Sequence, residues 1–240
     1  MSYHKQVHKK INKNNVLINL VTDNTKIVNK GTVSFSFDSS KIADAFVPFD
    51  SKRKCIDFNS FSANVYLNLD ANQNWTICFW SYKTQITGGL YYDIILADDT
   101  RYCYNSIQLT NPGSYPYAGM RINYNYSYAM HGNIDNNTNI NKPHYFAFVN
   151  SLTTKRLTMY EDGIAVSSVD NISFHFNYIN NWGWKDRSST PGLIDDFMIV
   201  SQDLWTGNFY LPKHYLLDNC NCYYSINEDE NDNIYAMSSN

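Results

Sequence analysis

The chain has 240 residues and a formal net charge of -3, so no general positive field exists to hold a nucleic acid, and we exclude nucleic acid as the main partner. The N-terminus lacks the apolar core of a secretory signal, and no window is apolar enough to cross a bilayer. We therefore expect that the protein is made in a cytoplasm and does not insert into a membrane. Aromatic residues make up 16% of the chain while glutamate occurs only at positions 161, 228 and 230, which predicts an all-β fold.

Polar extensions are predicted at both ends of a single domain. Residues 1–15 form a basic arm and residues 225–240 an acidic tail. Both contain too few apolar side chains to fold alone, so we expect both ends to be loose in an isolated monomer. Residues 16–224 are long enough for one large β-sandwich with a full core. The extensions are the expected means of attachment to other proteins or to identical subunits.

Short strand patterns recur from the start of the predicted domain. The first eight cover residues 16–21, 32–37, 54–58, 64–69, 75–82, 91–96, 106–109 and 121–128. Residues 75–82 are apolar on both faces, which predicts a strand in the middle of a sheet.

The strand predicted at 121–128 offers a candidate ligand-binding face. Four apolar or aromatic side chains at positions 122, 124, 126 and 128 share one face, and Asn123 and Asn125 lie on the other. The amides could hydrogen-bond sugar hydroxyls. The tyrosines could either stack on sugar rings or pack inside the sandwich.

A β-meander is predicted from residue 143 onward. Two alternating apolar runs flank a turn at residues 153–156, and a third follows Asp162 and Gly163. Asp162 and Gly163 are predicted turn residues, because glycine accepts positive φ and aspartate bonds its own backbone. A further strand at 194–200 begins near Asp195 and Asp196, which we interpret as a structural staple to a neighbouring loop, with calcium ligation as the alternative.

The loops rich in Asn and Gly, at residues 131–142 and 180–192, are the expected recognition segments. Trp182 and Trp184 flank Gly183 in the second loop. They could form an exposed aromatic platform for a ligand or could anchor the loop in the core.

Several of these segments resemble a laminin G-like, concanavalin A-like jelly-roll domain. The similarity lies in the strand that ends Asp57-Phe58, in Phe79-Trp80-Ser81, in the aromatic-x-Asp-Gly turn at 160–163, and in Gly192-Leu-Ile-Asp-Asp196. It covers roughly residues 16–210 and implies a two-sheet antiparallel β-sandwich. The chain departs from the family at Lys142-Pro143, where a tryptophan is common, and at residues 205–212, where a helical ending is usual.

The resemblance also implies a function. Asn- and Lys-rich chains of this type without an export signal resemble the lectin-like domains of bacteriophage tail, fibre and capsid-decorating proteins. A non-enzymatic lectin-like structural or binding module of a virion is therefore expected, held to other virion proteins by its extensions and binding cell-surface carbohydrate. Jelly rolls of this class often bind calcium, for which Asp98 and Asp99 are the candidate ligands, and no other cofactor is expected.

Two alternatives remain open. The same scaffold houses glycoside hydrolases and lyases, so a carbohydrate-active enzyme is the first. Because the chain has three glutamates, with two of them in the tail, the paired-carboxylate strand of a retaining glucanase is missing, and we predict no catalytic residue. The second alternative is a purely architectural virion protein without a ligand.

Overall fold

A computed structural model gives the fold of much of the chain. It describes residues 10–11, 13–23, 26–29, 31–32, 42–44, 54–57, 65–83, 92–97, 106–110, 118–121, 128–131, 143–170, 175–179, 192–209, 226–228 and 234–236. Nearly all of these residues lie in antiparallel strands, and the only helix among them is a 3-10 turn at Lys13–Asn15. No helix within the described ranges is long and apolar enough to pass through a membrane. The expected all-β sandwich is confirmed.

The strands follow one another at short intervals. They are β1 Lys10–Ile11, β2 Val16–Asp23, β3 Lys26–Asn29, β4 Ile42–Asp44, β5 Lys54–Asp57, β6 Val65–Asp70, β7 Trp75–Lys83, β8 Tyr92–Ala97, β9 Ser106–Thr110, β10 Ala118–Arg121, β11 Tyr128–His131, β12 Pro143–Ser151, β13 Arg156–Glu161, β14 Ile164–Asp170, β15 His175–Ile179, β16 Gly192–Val200, β17 Ile226–Glu228 and β18 Ile234–Ala236.

These strands form a nine-stranded sheet, a six-stranded sheet and a small three-stranded sheet. In the largest, the order β14-β13-β12-β7-β16-β2-β3 places β7 between two neighbours, which confirms the predicted central strand. The other two strands of this sheet are β5, which pairs with β16, and β4, which pairs with β5. The predicted meander is β12-β13-β14. Its first turn lies at residues 152–155, so Arg156 already belongs to β13 rather than to the turn.

One expectation is wrong. The strand predicted at 121–128 is two strands, because Arg121 at the end of β10 and Tyr128 at the start of β11 are antiparallel partners. Asn123 and Asn125 lie outside the described residues. Parts of the two extensions pair with each other, since Ile11 pairs with Ile234 and β17 completes the three-stranded sheet.

The nine-stranded sheet is apolar on both faces around its central strands β7, β12 and β16. The outer face, as we name it, carries Trp80, Tyr145, Val149 and Tyr160 and is covered by residues 201–209, the covering segment. The covering segment contributes Leu204, Trp205 and Phe209 to the same buried cluster. The opposite, inner face carries the phenylalanines of β7 and β12 and is left to pack on the six-stranded sheet. A sheet buried on both sides explains why β7 and β12 are apolar at nearly every position.

Hydrogen bonds hold the covering segment in place. The buried hydroxyl of Thr76 donates to the carbonyl of Gln202 at 2.8 Å and accepts from the amide of Leu204 at 3.0 Å. At the far end the amide of Phe209 donates to the carbonyl of Gly163 at 2.8 Å. The covering segment is thus fixed at both ends across the outer face.

Candidate functional site

Most of the side chains proposed from the sequence lie outside the described residues. This holds for Trp182, Trp184, Asn123, Asn125, Asp98 and Asp99. Asp195 and Asp196 lie within β16, where the pairing with β7 shifts between Asp195 and Met198. The turn pair Asp162 and Gly163 is described in full.

The turn between β13 and β14 needs unusual backbone angles. Asp162 has φ of 50° and Gly163 has φ of 82°. The amide of Asp162 donates to the carbonyl of Tyr145 at 2.8 Å, and its Oδ1 accepts from the amide of Tyr145 at the same distance. A Cβ on Gly163 would lie 2.0 Å from the carbonyl oxygen of Phe209. The turn therefore requires glycine both for its backbone angle and for the close approach of the covering segment.

A small polar cluster surrounds this turn on the inner-face side of the sheet. His144 Nδ1 lies 2.8 Å from Asp162 Oδ2 and 3.6 Å from Glu161 Oε1. A carboxylate oxygen can only accept, so His144 Nδ1 carries a proton and donates to Asp162 Oδ2. No described group hydrogen-bonds the buried Nε2 of His144. One ligand atom from each of the three residues lies within 4.8 Å of the others, a grouping that could take a cation. The short hydrogen bond already uses the imidazole nitrogen, so we assign no metal to the cluster.

Glu161 is the titrating member of this cluster. Its side chain is 12% exposed. Burial, followed by the neighbouring charge of Asp162, raises the pKa of Glu161 to about 7, against a smaller lowering by His144. A carboxyl group in this position changes charge near neutral pH.

An open groove lies on the outer face at the edge of the covering segment, where β12, β13 and β14 extend beyond that segment. Its volume is about 570 Å³. Serine and threonine side chains provide much of its polar lining, and Tyr160 and Trp205 provide its aromatic part. The described lining residues are Val149, Ser151, Thr154, Arg156, Thr158, Tyr160, Ala165, Val166, Ser167, Ser168, Trp205, Thr206 and Gly207.

A hydrogen bond and ring stacking fix the side chains that form the walls of this groove. Ser151 donates to the buried carboxylate of Asp203 at 2.7 Å, which joins β12 to the covering segment. Trp205 stacks on Phe209 with ring centroids 4.0 Å apart. Burial raises the pKa of Tyr160, opposed by a hydrogen bond with Thr158. A preformed cavity with hydroxyl groups and an aromatic margin is suited to a small polar ligand.

The sequence did not single out the groove as a site. Thr158 and Ser168 are cross-strand partners, so both hydroxyl groups face the same side of the meander. The pattern that could have revealed them is the alternation of polar positions with Leu157 and Met159, which are buried on the inner face. That pattern shows which side of the meander the hydroxyl groups lie on. It does not show that the covering segment packs beside them, because that segment comes from about forty residues further along the chain.

No protein-family model and no curated protein sequence matches this chain. Solved structures do match its fold. The binding domain of Paraclostridial Mosquitocidal Protein 1 superposes with a TM-score of 0.58 at 16% identity, covering 80% of this chain and 50% of that one. The binding domain of botulinum neurotoxin serotype D/C VPI 5993 gives 0.53 at 13% identity, covering 80% and 50%.

A third match is a botulinum neurotoxin type C structure, at a TM-score of 0.53 and 13% identity, covering 80% of this chain and 49% of that one. Cell entry of that toxin depends on interaction with two ganglioside molecules. The chain shares the fold of these binding domains. It spans about half of their length, with 50% covered in the first match.

Proposed function

We propose that this chain is a non-enzymatic, lectin-like binding module that holds carbohydrate in the outer-face groove. The observation that carries the proposal is the groove itself, about 570 Å³ in volume and lined by hydroxyl side chains beside Trp205. Sugars are recognised by hydrogen bonds to their hydroxyl groups and by contact of their apolar faces with aromatic rings. A ganglioside contains neutral sugars as well as sialic acid, so the ganglioside dependence described for the type C toxin, whose structure shares this fold, supports carbohydrate as the ligand class without fixing its charge.

The chemistry of the lining favours binding over catalysis. None of the described lining residues carries a carboxyl group. Glycoside hydrolysis requires two carboxyl groups that flank the scissile bond, either about 5 Å apart or about 6.5 to 9.5 Å apart. A groove of hydroxyl groups can hold a sugar but has no acid to protonate the leaving oxygen.

The location in a virion is part of the same proposal. Residues 10–11, 226–228 and 234–236 contribute strands to one small sheet, so the two extensions would provide a single place of attachment. Immunogold labelling of purified particles tests the location. Trp182 and Trp184 remain a proposed second platform for the glycan, and Asp98 and Asp99 remain proposed calcium ligands. An unchanged melting temperature after addition of a chelator would remove the calcium proposal.

Filling the groove should abolish glycan binding. Ser168 is exposed on β14, opposite Thr158, so the indole in Ser168→Trp would occupy the space between the strand and the covering segment. We expect binding on a glycan array and by calorimetry to weaken by at least about tenfold, since a ligand excluded from its pocket loses several hydrogen bonds at once. The matched control is Ile164→Ser, because Ile164 is 58% exposed on the same strand and does not line the groove.

Other results would favour the rival functions. Loss of binding in Trp182→Ala and Trp184→Ala, with Ser168→Trp unaffected, would move the site to the 180–192 loop. Release of sugar from a polysaccharide panel by the unmodified protein would establish an enzyme. Binding to no glycan at all would contradict the proposal and leave the architectural role.

A further inference from the structure

The charge at the groove comes from an ion pair. Arg156 is the only charged side chain among the described lining residues. Its Nε lies 2.5 Å from Asp170 Oδ1, and its second terminal nitrogen lies 3.0 Å from Oδ2. The two residues are direct partners across β13 and β14, so the backbone register aligns the pair. The result is a bidentate pair of half-exposed side chains, with Arg156 in the groove lining and Asp170 beside it.

Both members of the pair are ionised at neutral pH. Hydrogen bonding to Asp170 raises the pKa of Arg156, and hydrogen bonding to Arg156 lowers the pKa of Asp170. The net charge of the pair is therefore zero. A carboxylated or sulfated ligand would have to compete with Asp170 for the guanidinium and would approach the charge of Asp170 as it did so.

The pair nevertheless keeps hydrogen-bonding capacity. A guanidinium has five N–H donors, of which Asp170 takes two, and each carboxylate oxygen retains a further lone pair. Neighbouring sugar hydroxyls each donate and accept, so a neutral sugar can satisfy both sides of the pair. The hydroxyl groups of Thr158 and Ser168, which also line the groove, can likewise donate and accept hydrogen bonds.

We infer that the groove selects uncharged glycans and discriminates against glycans that carry a carboxylate or sulfate group there. This inference rests on the proposed function, because it names the ligand class of the same site. The opposing charge is supplied by one residue, Asp170, so the selectivity should be reversible by a single substitution.

The test uses pairs of oligosaccharides that differ by one terminal acidic sugar, an uncharged member beside its sialylated or uronic-acid counterpart. We expect the unmodified protein to bind the uncharged member at least about threefold more tightly. Asp170→Asn leaves the guanidinium uncompensated, so the ratio should shift toward the acidic member by about threefold at low salt and by less at high salt. Asp70→Asn makes the same change in net charge on β6 of the six-stranded sheet, whereas Asp170 pairs directly with the lining residue Arg156, so Asp70→Asn should leave the ratio unchanged.

The outcomes separate the two proposals. Preference of the unmodified protein for the acidic members would overturn the selectivity while leaving carbohydrate binding intact. So would an Asp170→Asn ratio equal to that of the unmodified protein, or a shift of the same size in Asp70→Asn. Failure to bind either member of any pair would contradict the proposed function itself.

Discussion

Replacing the buried Gly163 by alanine should destabilise the protein strongly. The new Cβ would lie 2.0 Å from the carbonyl oxygen of Phe209, and the backbone at this position has φ of 82°. Either the turn or the covering segment must move, which breaks the hydrogen bond from Phe209 to Gly163. We expect a loss of about 3 kcal/mol or more in the free energy of unfolding, measured by urea denaturation, and a melting temperature lower by roughly 10 °C.

The control for this change lies in the same covering segment. A Cβ added to Gly207 would meet no atom within 4 Å. Gly207→Ala should therefore leave the free energy of unfolding within about 0.5 kcal/mol of the original value. Equal stability of Gly163→Ala and Gly207→Ala would show that the covering segment does not lie against the turn as described.

Stability should fall as the pH rises through neutrality, and Glu161→Gln should remove that fall. The folded-state pKa of Glu161 is raised to about 7 from an ordinary value of 4.5, chiefly by burial. The folded protein therefore binds the proton more tightly than the unfolded chain does. The stabilisation is complete below pH 4.5 and is lost as the pH rises through 7. A shift of this size corresponds to about 3 kcal/mol.

Denaturation curves at several pH values check this expectation. Glutamine mimics the protonated acid, so Glu161→Gln should match the original protein near pH 4.5 and exceed it by about 3 kcal/mol near pH 8. Asp170→Asn is the control, because Arg156 lowers the pKa of Asp170 and Asp170 therefore titrates below the pH range from 4.5 to 8. A constant difference between Glu161→Gln and the original protein across this range would refute the account of the cluster.

The fold could be predicted where side chains alternate over long strands. Residues 75–82 identified the centre of a sheet because a strand buried on both faces carries apolar side chains on both, and the meander was visible from the turn chemistry of Asp162 and Gly163. The hairpin at β10 and β11 was missed because the aromatic alternation hid the reversal of the chain. The pairing of the termini was missed because strands of two or three residues have too few side chains to form a pattern.

The candidate site was less accessible to sequence reasoning. The groove depends on the register that places Thr158 opposite Ser168 and on a covering segment held at Thr76 and Gly163. Trp205 marked a departure from the laminin G-like pattern, and its role became clear only with its stacking on Phe209. Residues distant in sequence make the groove, and no local motif encodes such a contact.

Hydrogen exchange with and without a bound glycan tests the central claim most directly. If carbohydrate occupies the outer-face groove, the ligand should slow amide exchange in peptides that contain its lining residues, which include Arg156, Thr158 and Tyr160 of β13, residues 165–168 of β14 and residues 205–207 of the covering segment. The 180–192 loop should then exchange at its unliganded rate. Protection confined to that loop, with none in β13, β14 or the covering segment, would contradict the assignment of the groove.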